Sequence, residues 1–154
     1  MLAGMAVRMA YALQLHRELD YDPLGQKTDK QAELSFTDRE IRRRAMWACF
    51  MMDRFTASGT ERPMFTDEEA IKIQLPIKES RFHMDVAGPT ENLDGSIATS
   101  VLTKSSELGS PKDNMGVSAY MVRVITLWGQ TIKYLNMGGK AKDPYPLWRP
   151  ESQL

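Results

Sequence analysis

The chain has 154 residues, 42% of them hydrophobic, enough for about one domain with a packed core rather than a disordered tail. Lys plus Arg and Asp plus Glu each total 20, a formal net charge of +0, so it lacks the positive excess needed to grip a nucleic-acid backbone or an acidic membrane surface. The lone cysteine, Cys49, excludes an intrachain disulfide and a cysteine-built zinc site, and no run reaches the roughly 18 consecutive apolar residues of a membrane span.

The opening residues Met1 to Val7 have no basic segment ahead of them and are interrupted by Arg8, so they read as helix rather than as a secretory leader. Helical periodicity runs through Leu2, Met5, Met9, Ala12 and Leu13, widened by Ala6 and Ala10. This helix is expected to reach about Leu19, where Asp20-Tyr21-Asp22-Pro23-Leu24-Gly25 stops it. After the polar stretch 26–35, Thr37-Asp38-Arg39-Glu40 has the form of a capping box. The helix that follows carries Ile41, Ala45, Ala48, Met52 and Phe55 on one face and Trp47, Phe50 and Met51 on another. Such breadth implies neighbours on more than one side. Gly59 is its end signal.

Thr66-Asp67-Glu68-Glu69 suits the cap of a short helix, whereas the alternation Ile71, Ile73, Leu75 into Pro76 suits an extended run; the pattern leaves both open. From Lys78 to Asn114 the chain is rich in Gly, Pro, Ser, Thr and charge, as a long connection or a disordered insert would be. A third helix is expected over about 114–136, with the stripe Val117, Met121, Val124, Ile125, Trp128, Ile132 and Leu135, ended by Gly138-Gly139. Pro144, Pro146 and Pro150 favour an extended tail, and Ser152 has the character of a helix cap. There is no internal repeat. The expected class is all-α, about three main helices with a long polar connection. The broad apolar faces and the abrupt ends suggest a fragment, whose faces are left exposed where partners are missing.

Several runs resemble one family. Gly4-Met5-Ala6-Val7-Arg8-Met9-Ala10-Tyr11-Ala12-Leu13-Gln14-Leu15-His16-Arg17 is similar to its alanine, arginine, methionine, leucine-histidine helix. Glu40-Ile41-Arg42-Arg43-Arg44-Ala45-Met46-Trp47, followed by Asp53-Arg54, is similar to its arginine-rich helix. Arg62-Pro63 and Leu75-Pro76 fall where it places an arginine-proline turn and a leucine-proline end. In this order the motifs resemble the middle homology region of fungal zinc binuclear cluster transcription factors, densely over 4–76 and more weakly over 115–154, where Leu127-Trp128-Gly129 and Trp148 to Ser152 echo it. Glu61 departs from the glycine the family usually has before its arginine-proline turn, and the six-cysteine cluster is absent.

The resemblance implies that residues 1–76 are the N-terminal part of a regulatory domain. Residues 77–113 are then a flexible polar connection, and 114–154 a further helix and tail of the same domain, truncated. It implies a nuclear, non-catalytic regulator of RNA polymerase II transcription, with coregulator proteins or a small inducer as partners and no membrane. Zinc and DNA binding belong by this implication to a cysteine cluster of the parent protein, with no cofactor in this chain. The family-motif residues are Arg8, His16, Arg43, Arg44, Trp47, Asp53, Arg54, Arg62, Pro63, Leu75 and Pro76.

The residues weighed singly point to structural roles. Arg42, Arg43 and Arg44 project about 100° apart on a helix and have Asp38, Glu40 and Asp53 nearby, which favours salt bridging over a basic recognition face. Asp53 and Arg54 stand in an apolar stretch and each needs a partner across an interface, as a fold-specifying ion pair supplies. His16 and His83 lack any metal-ligand spacing and read as helix-end or loop histidines. Cys49 reads as a small core hydrophobe. The eleven methionines read chiefly as core filler, with adaptable binding as the alternative. Ser110-Pro111 permits phosphorylation. No phosphate loop, paired-histidine motif or nucleophile elbow is present, and the competing readings are a helical interaction module unrelated to transcription and a fragment of an enzyme.

Overall fold

The computed structural model describes residues 2–23, 33–59, 62–97 and 109–152. Its elements in chain order are α1 (Leu2–Ala12), α2 (Phe36–Ala57), α3 (Glu79–His83), α4 (Pro111–Asn114) and α5 (Val117–Asn136), followed by a 3-10 turn at Gly139–Ala141. The fold is helical; among the described residues β-pairing is limited to isolated bridges such as Arg17 with Lys72 and Ile77 with Met115. No described helix is long and apolar enough to cross a membrane.

α2 is the organising element. Its N-cap is Ser35, whose hydroxyl accepts from the Asp38 backbone N–H and donates to the Asp38 carboxylate. The expected box on Thr37 and Glu40 is therefore displaced by two residues. The Glu40 carboxylate is fully buried and serves elsewhere. α1 also ends earlier than expected, at Ala12 rather than near Leu19. Gln14 takes a left-handed φ of 55°, which turns Leu15 into the core. The Arg42 guanidinium donates to the carbonyls of Leu13 and Gln14 that the broken helix leaves open. α2 itself stops at Ala57, with Ser58 as C-cap, two residues before Gly59.

The core joins Ala10 and Leu15 to Met46, Trp47 and Phe50 of α2, and to Ile71, Ile73 and Leu75. Met115, Ala119 and Val122 close it from the other side. Trp47 meets Phe50 edge to face, with ring centroids 5.5 Å apart, a favoured quadrupole arrangement. The open question over 66–75 is resolved as a turn at 68–70 followed by an extended run with Ile71, Ile73, Leu75 and Ile77 all buried.

Three expectations fail in the same way. The α2 face of Ile41, Met52 and Phe55 is exposed, and the buried face is Met46, Trp47, Phe50, Asp53, Arg54 and Ala57. On α5 the stripe residues Val117, Met121, Val124, Trp128 and Leu135 face outward, while Ala119, Val122, Ile125, Thr126 and Gly129 are buried. Among the described methionines, Met46 and Met115 alone lie in the buried core, whereas Met5, Met9, Met52, Met84, Met121 and Met137 are exposed. On α5 the physical reason is close packing against α2, which selects small side chains such as Ala119 and Gly129 for the inner face; α2 itself turns Met46, Trp47 and Phe50 inward and leaves Ile41, Met52 and Phe55 outside.

The polar stretch after Ile77 carries α3 and, further on, the buried residues Thr90 and Glu91. Thr90 donates to the Leu75 carbonyl, and the Leu75 N–H donates to the Glu91 carbonyl at 2.8 Å. The third helix, α5, begins at Val117, three residues later than expected, after a break at Met115 and Gly116 that separates it from α4. An added Cβ on Gly116 would lie 3.0 Å from the Lys78 Cα, so the break is where two backbones cross. Gly138, at φ 111°, ends α5 as expected. Beyond it the tail folds back, with the Ser152 hydroxyl bonded to the Asp143 carboxylate at 2.7 Å.

Candidate functional site: a clamped strap, a cleft and an apolar seam

α2 holds the segment 65–77 through its own polar side chains, and most of the family-motif residues meet there. At one end the Asp53 carboxylate accepts from the backbone N–H of Phe65 and of Thr66, from the Thr66 hydroxyl and from Arg54. At the other end the Glu40 carboxylate accepts from the Ile77 N–H at 2.9 Å. Between them the Trp47 indole N–H donates to the Gln74 carbonyl at 2.9 Å. Glu40 and Asp53 stand about 20 Å apart along a helix rising 1.5 Å per residue. A fully extended path from Thr66 to Ile77 would reach about 36 Å, and the turn at 68–70 takes up the slack.

The charges are paired as a network. Arg43 bridges Glu18 and Glu40, and Arg44 bridges Glu40 and Glu79 while its guanidinium lies over the Phe82 ring. Burial pulls the Arg43 pKa down, but the neighbouring Glu18 and Glu40 carboxylates more than offset this and hold it above its usual value. Of the arginine run Arg43 and Arg44 are ion-paired, with Glu18 and Glu79 as partners that a local reading misses, while Arg42 donates to backbone carbonyls and Asp38 and Asp53 take no part. Arg54 donates to Asp53, to Thr66 and to Glu68, and its guanidinium packs over Phe50. Its Nε is buried without a hydrogen-bond partner. Gly129 of α5 makes room for it, since an added Cβ would lie 2.7 Å from Arg54 Cδ.

Above Arg54 opens a cleft of about 850 Å³ whose walls include Arg62, Pro63, Met64, Glu69, Lys133 and Met137. That volume is in the range of small-molecule sites. Leu75 and Pro76 are buried along the strap, Arg8 is exposed on α1, and Glu61 lies outside the described residues. His16 sits in the turn after α1, its ring against Tyr11 at 4.7 Å, and its carbonyl accepts from the Lys72 N–H. Burial lowers the His16 pKa, with Arg17 adding to the effect. His83 ends α3. Cys49 is half-buried against the core, and burial raises its thiol pKa.

The outer face of α5 is the other prominent feature. Val117, Met121, Val124, Trp128, Thr131 and Leu135 are all exposed and follow one another at intervals of four, three, four, three and four residues. That is the spacing of a seam that packs against a partner helix. Val117 is 86% and Val124 64% exposed, and Trp128 touches Phe55 of α2, which is also exposed. Periodicity found the stripe; what it lacked was any signal for which of the two faces turns inward.

An all-helical body with polar side chains spent on internal tethering and large apolar ones displayed outward has the form of a regulatory or interaction domain. The chain belongs to the fungal specific transcription factor domain family, whose model matches residues 1–137. It is 51% identical over 151 residues to the Zn(2)-C6 fungal-type transcription factor FTF1c of Fusarium oxysporum f. sp. lycopersici, covering 98% of this chain and 16% of that protein. To the Zn(2)-C6 fungal-type transcription factor FTF2 of the same organism it is 54% identical over 152 residues, covering 99% of the chain and 14% of the relative. To an uncharacterized transcriptional regulatory protein of Schizosaccharomyces pombe it is 47% identical over 158 residues, covering 100% of the chain and 16% of the relative. The chain thus spans less than a fifth of the length of these relatives. No solved structure matches it.

The zinc in the relatives' names does not fit the residues present here. A two-zinc cluster needs several thiolates, and this chain has one cysteine. Among the described residues no group of three His, Cys, Asp or Glu side chains is placed to hold a metal.

Proposed function

We propose that the chain is the regulatory, non-catalytic region of a sequence-specific RNA polymerase II transcription factor acting in the nucleus. In this reading zinc and DNA are bound by a separate cysteine cluster of a longer parent protein. The region works by docking: the outer face of α5 receives an apolar helix from another segment of that parent, and effector binding shifts the balance between docked and open forms. Any such shift requires the effector to bind the two forms with different affinity.

The observation that carries this reading is the α5 seam, a 20-residue helix with Val117, Met121, Val124, Trp128 and Leu135 outside, in a chain whose relatives are more than five times its length. The test is a reporter gene together with promoter occupancy of the parent. Val124→Glu with Leu135→Glu is expected to change reporter output while leaving occupancy intact. A parent that never associates with promoters, or a reporter indifferent to the pair, contradicts it.

The cleft above Arg54 favours a second route for the effector. Its lining holds three cations, of which Arg54 is paired while Arg62 and Lys133 are in no ion pair among the described residues, and three carboxylates, Asp67, Glu68 and Glu69, so it suits a small polar ligand that carries an acidic group towards Arg62 and Lys133.

A further inference from the structure

We propose that Ser110 is a site of proline-directed phosphorylation and that Arg81 is the side chain that engages the phosphate. This goes beyond the docking reading and does not depend on it. Ser110 is the one Ser or Thr in the sequence that is followed by proline. It is exposed, its backbone is extended at φ −66° and ψ 138°, and its hydroxyl makes no cap hydrogen bond. An extended serine before a proline is what a kinase cleft for such substrates accepts, since the proline holds the preceding residue out of helical geometry.

The receiving group lies against the preceding residue. The Arg81 Nη2 lies 3.4 Å from the position a Cβ on Gly109 would take, one residue before Ser110. Its Nη1 donates to the Ala87 carbonyl at 3.2 Å, and Arg81 makes no ion pair among the described residues. Lys112 stands two residues on and is exposed; Asp113, three residues on, is the opposing charge. In the reaction the γ-phosphoryl of ATP forms a bond to the Ser110 Oγ as its bond to ADP breaks, and the hydroxyl proton passes to the kinase's base. The product adds roughly −1.5 to −2 charge and three acceptor oxygens, for which a guanidinium is the matched donor. Pairing ties α3 to the start of α4, beside the buried Asn114 that donates to the Pro89 carbonyl, and so stiffens the corner from which α5 departs.

The experiment treats the full 154-residue chain with ATP and a purified proline-directed kinase, then follows the phosphoserine by phosphorus NMR against pH. The expected result is one phosphate, lost in Ser110→Ala, with a titration midpoint below the value of about 6 for a free phosphoserine. Arg81→Gln should return the midpoint to that value and Arg81→Lys should keep it low, with circular dichroism showing both variants folded. Failure of the folded chain to accept phosphate at Ser110 overturns the proposal. So does a midpoint that Arg81→Gln leaves unchanged.

Discussion

The Thr66 backbone N–H and hydroxyl both donate to one oxygen of the Asp53 carboxylate, at 2.8 and 2.6 Å, and both residues are buried. A helix side chain thus takes the place of a neighbouring strand for the first turn of the strap. The Phe65 N–H and the Arg54 guanidinium complete the set of donors around the same carboxylate.

Removing that carboxylate leaves the Phe65 and Thr66 N–H groups without their acceptor and the buried Arg54 charge with Glu68 as its remaining carboxylate. Asp53→Ala is expected to cost about 3–5 kcal/mol, the range for breaking a buried pair from one side. Since a whole domain is stable by about 5–15 kcal/mol, the urea midpoint read by circular dichroism should fall by a large fraction. A midpoint within error of the parent chain's would show that the clamp does not hold the strap.

Gly129→Ala separates helix propensity from packing. In an exposed helix interior the change stabilises by about 1 kcal/mol. Here the new Cβ meets Arg54 Cδ at 2.7 Å and Nε at 3.0 Å, and Arg54 is fixed by Asp53, Thr66 and Glu68. The expected net effect is destabilisation of about 1–3 kcal/mol, as overpacking costs. Thermal denaturation reads the sign directly, and a raised midpoint would contradict the geometry.

His16 gives a pH dependence whose sign can be worked out. Its folded pKa lies below the ordinary 6.5 because burial, with Arg17, disfavours the imidazolium. As pH falls through 6.5 the unfolded chain takes up the proton first, so stability is highest above that pH and declines until the folded pKa is passed. Denaturation midpoints between pH 7.5 and 5.5 should therefore fall, and His16→Gln should flatten the slope. An unchanged slope in the variant would assign the dependence to other groups.

The two faces of α5 should respond oppositely to charge. Val122 is fully buried and Val124 is 64% exposed. Val122→Glu places an unpaired carboxylate in the core and is expected to abolish cooperative unfolding. Val124→Glu should leave the chain's stability within about 0.5 kcal/mol, the usual range for a surface change. Comparable losses from both would mean that the seam is inner structure.

The helices and their order were legible because periodicity and turn residues act over a few neighbours: the stripes of α1, α2 and α5, the Gly138 stop and the need of Asp53 and Arg54 for partners were all readable. The orientation of each helix was not. Gly129 faces inward because Arg54 approaches closely there, and that distance is set by a residue over seventy positions away. Glu40 reads as a capping residue locally, yet its partner is the N–H of Ile77, 37 residues on. The Glu18–Arg43 and Glu79–Arg44 pairs were missed for the same reason. Of the candidate site, the motif residues were visible as a set, but the cleft above Arg54 needs the meeting of α2, α5 and residues 62–69.

The central claim is that the α5 seam is a contact surface in the longer protein, and side-chain footprinting by hydroxyl radicals tests it most directly, because Met121 and Trp128 lie in the seam and oxidise readily. In the 154-residue chain both should oxidise freely, as their exposure of 53% and 38% implies. In the parent protein the account predicts strong protection of Met121 and Trp128, while Met84, exposed at the C-terminal end of α3, stays as reactive as before. Equal oxidation of Met121 and Trp128 in chain and parent would contradict it.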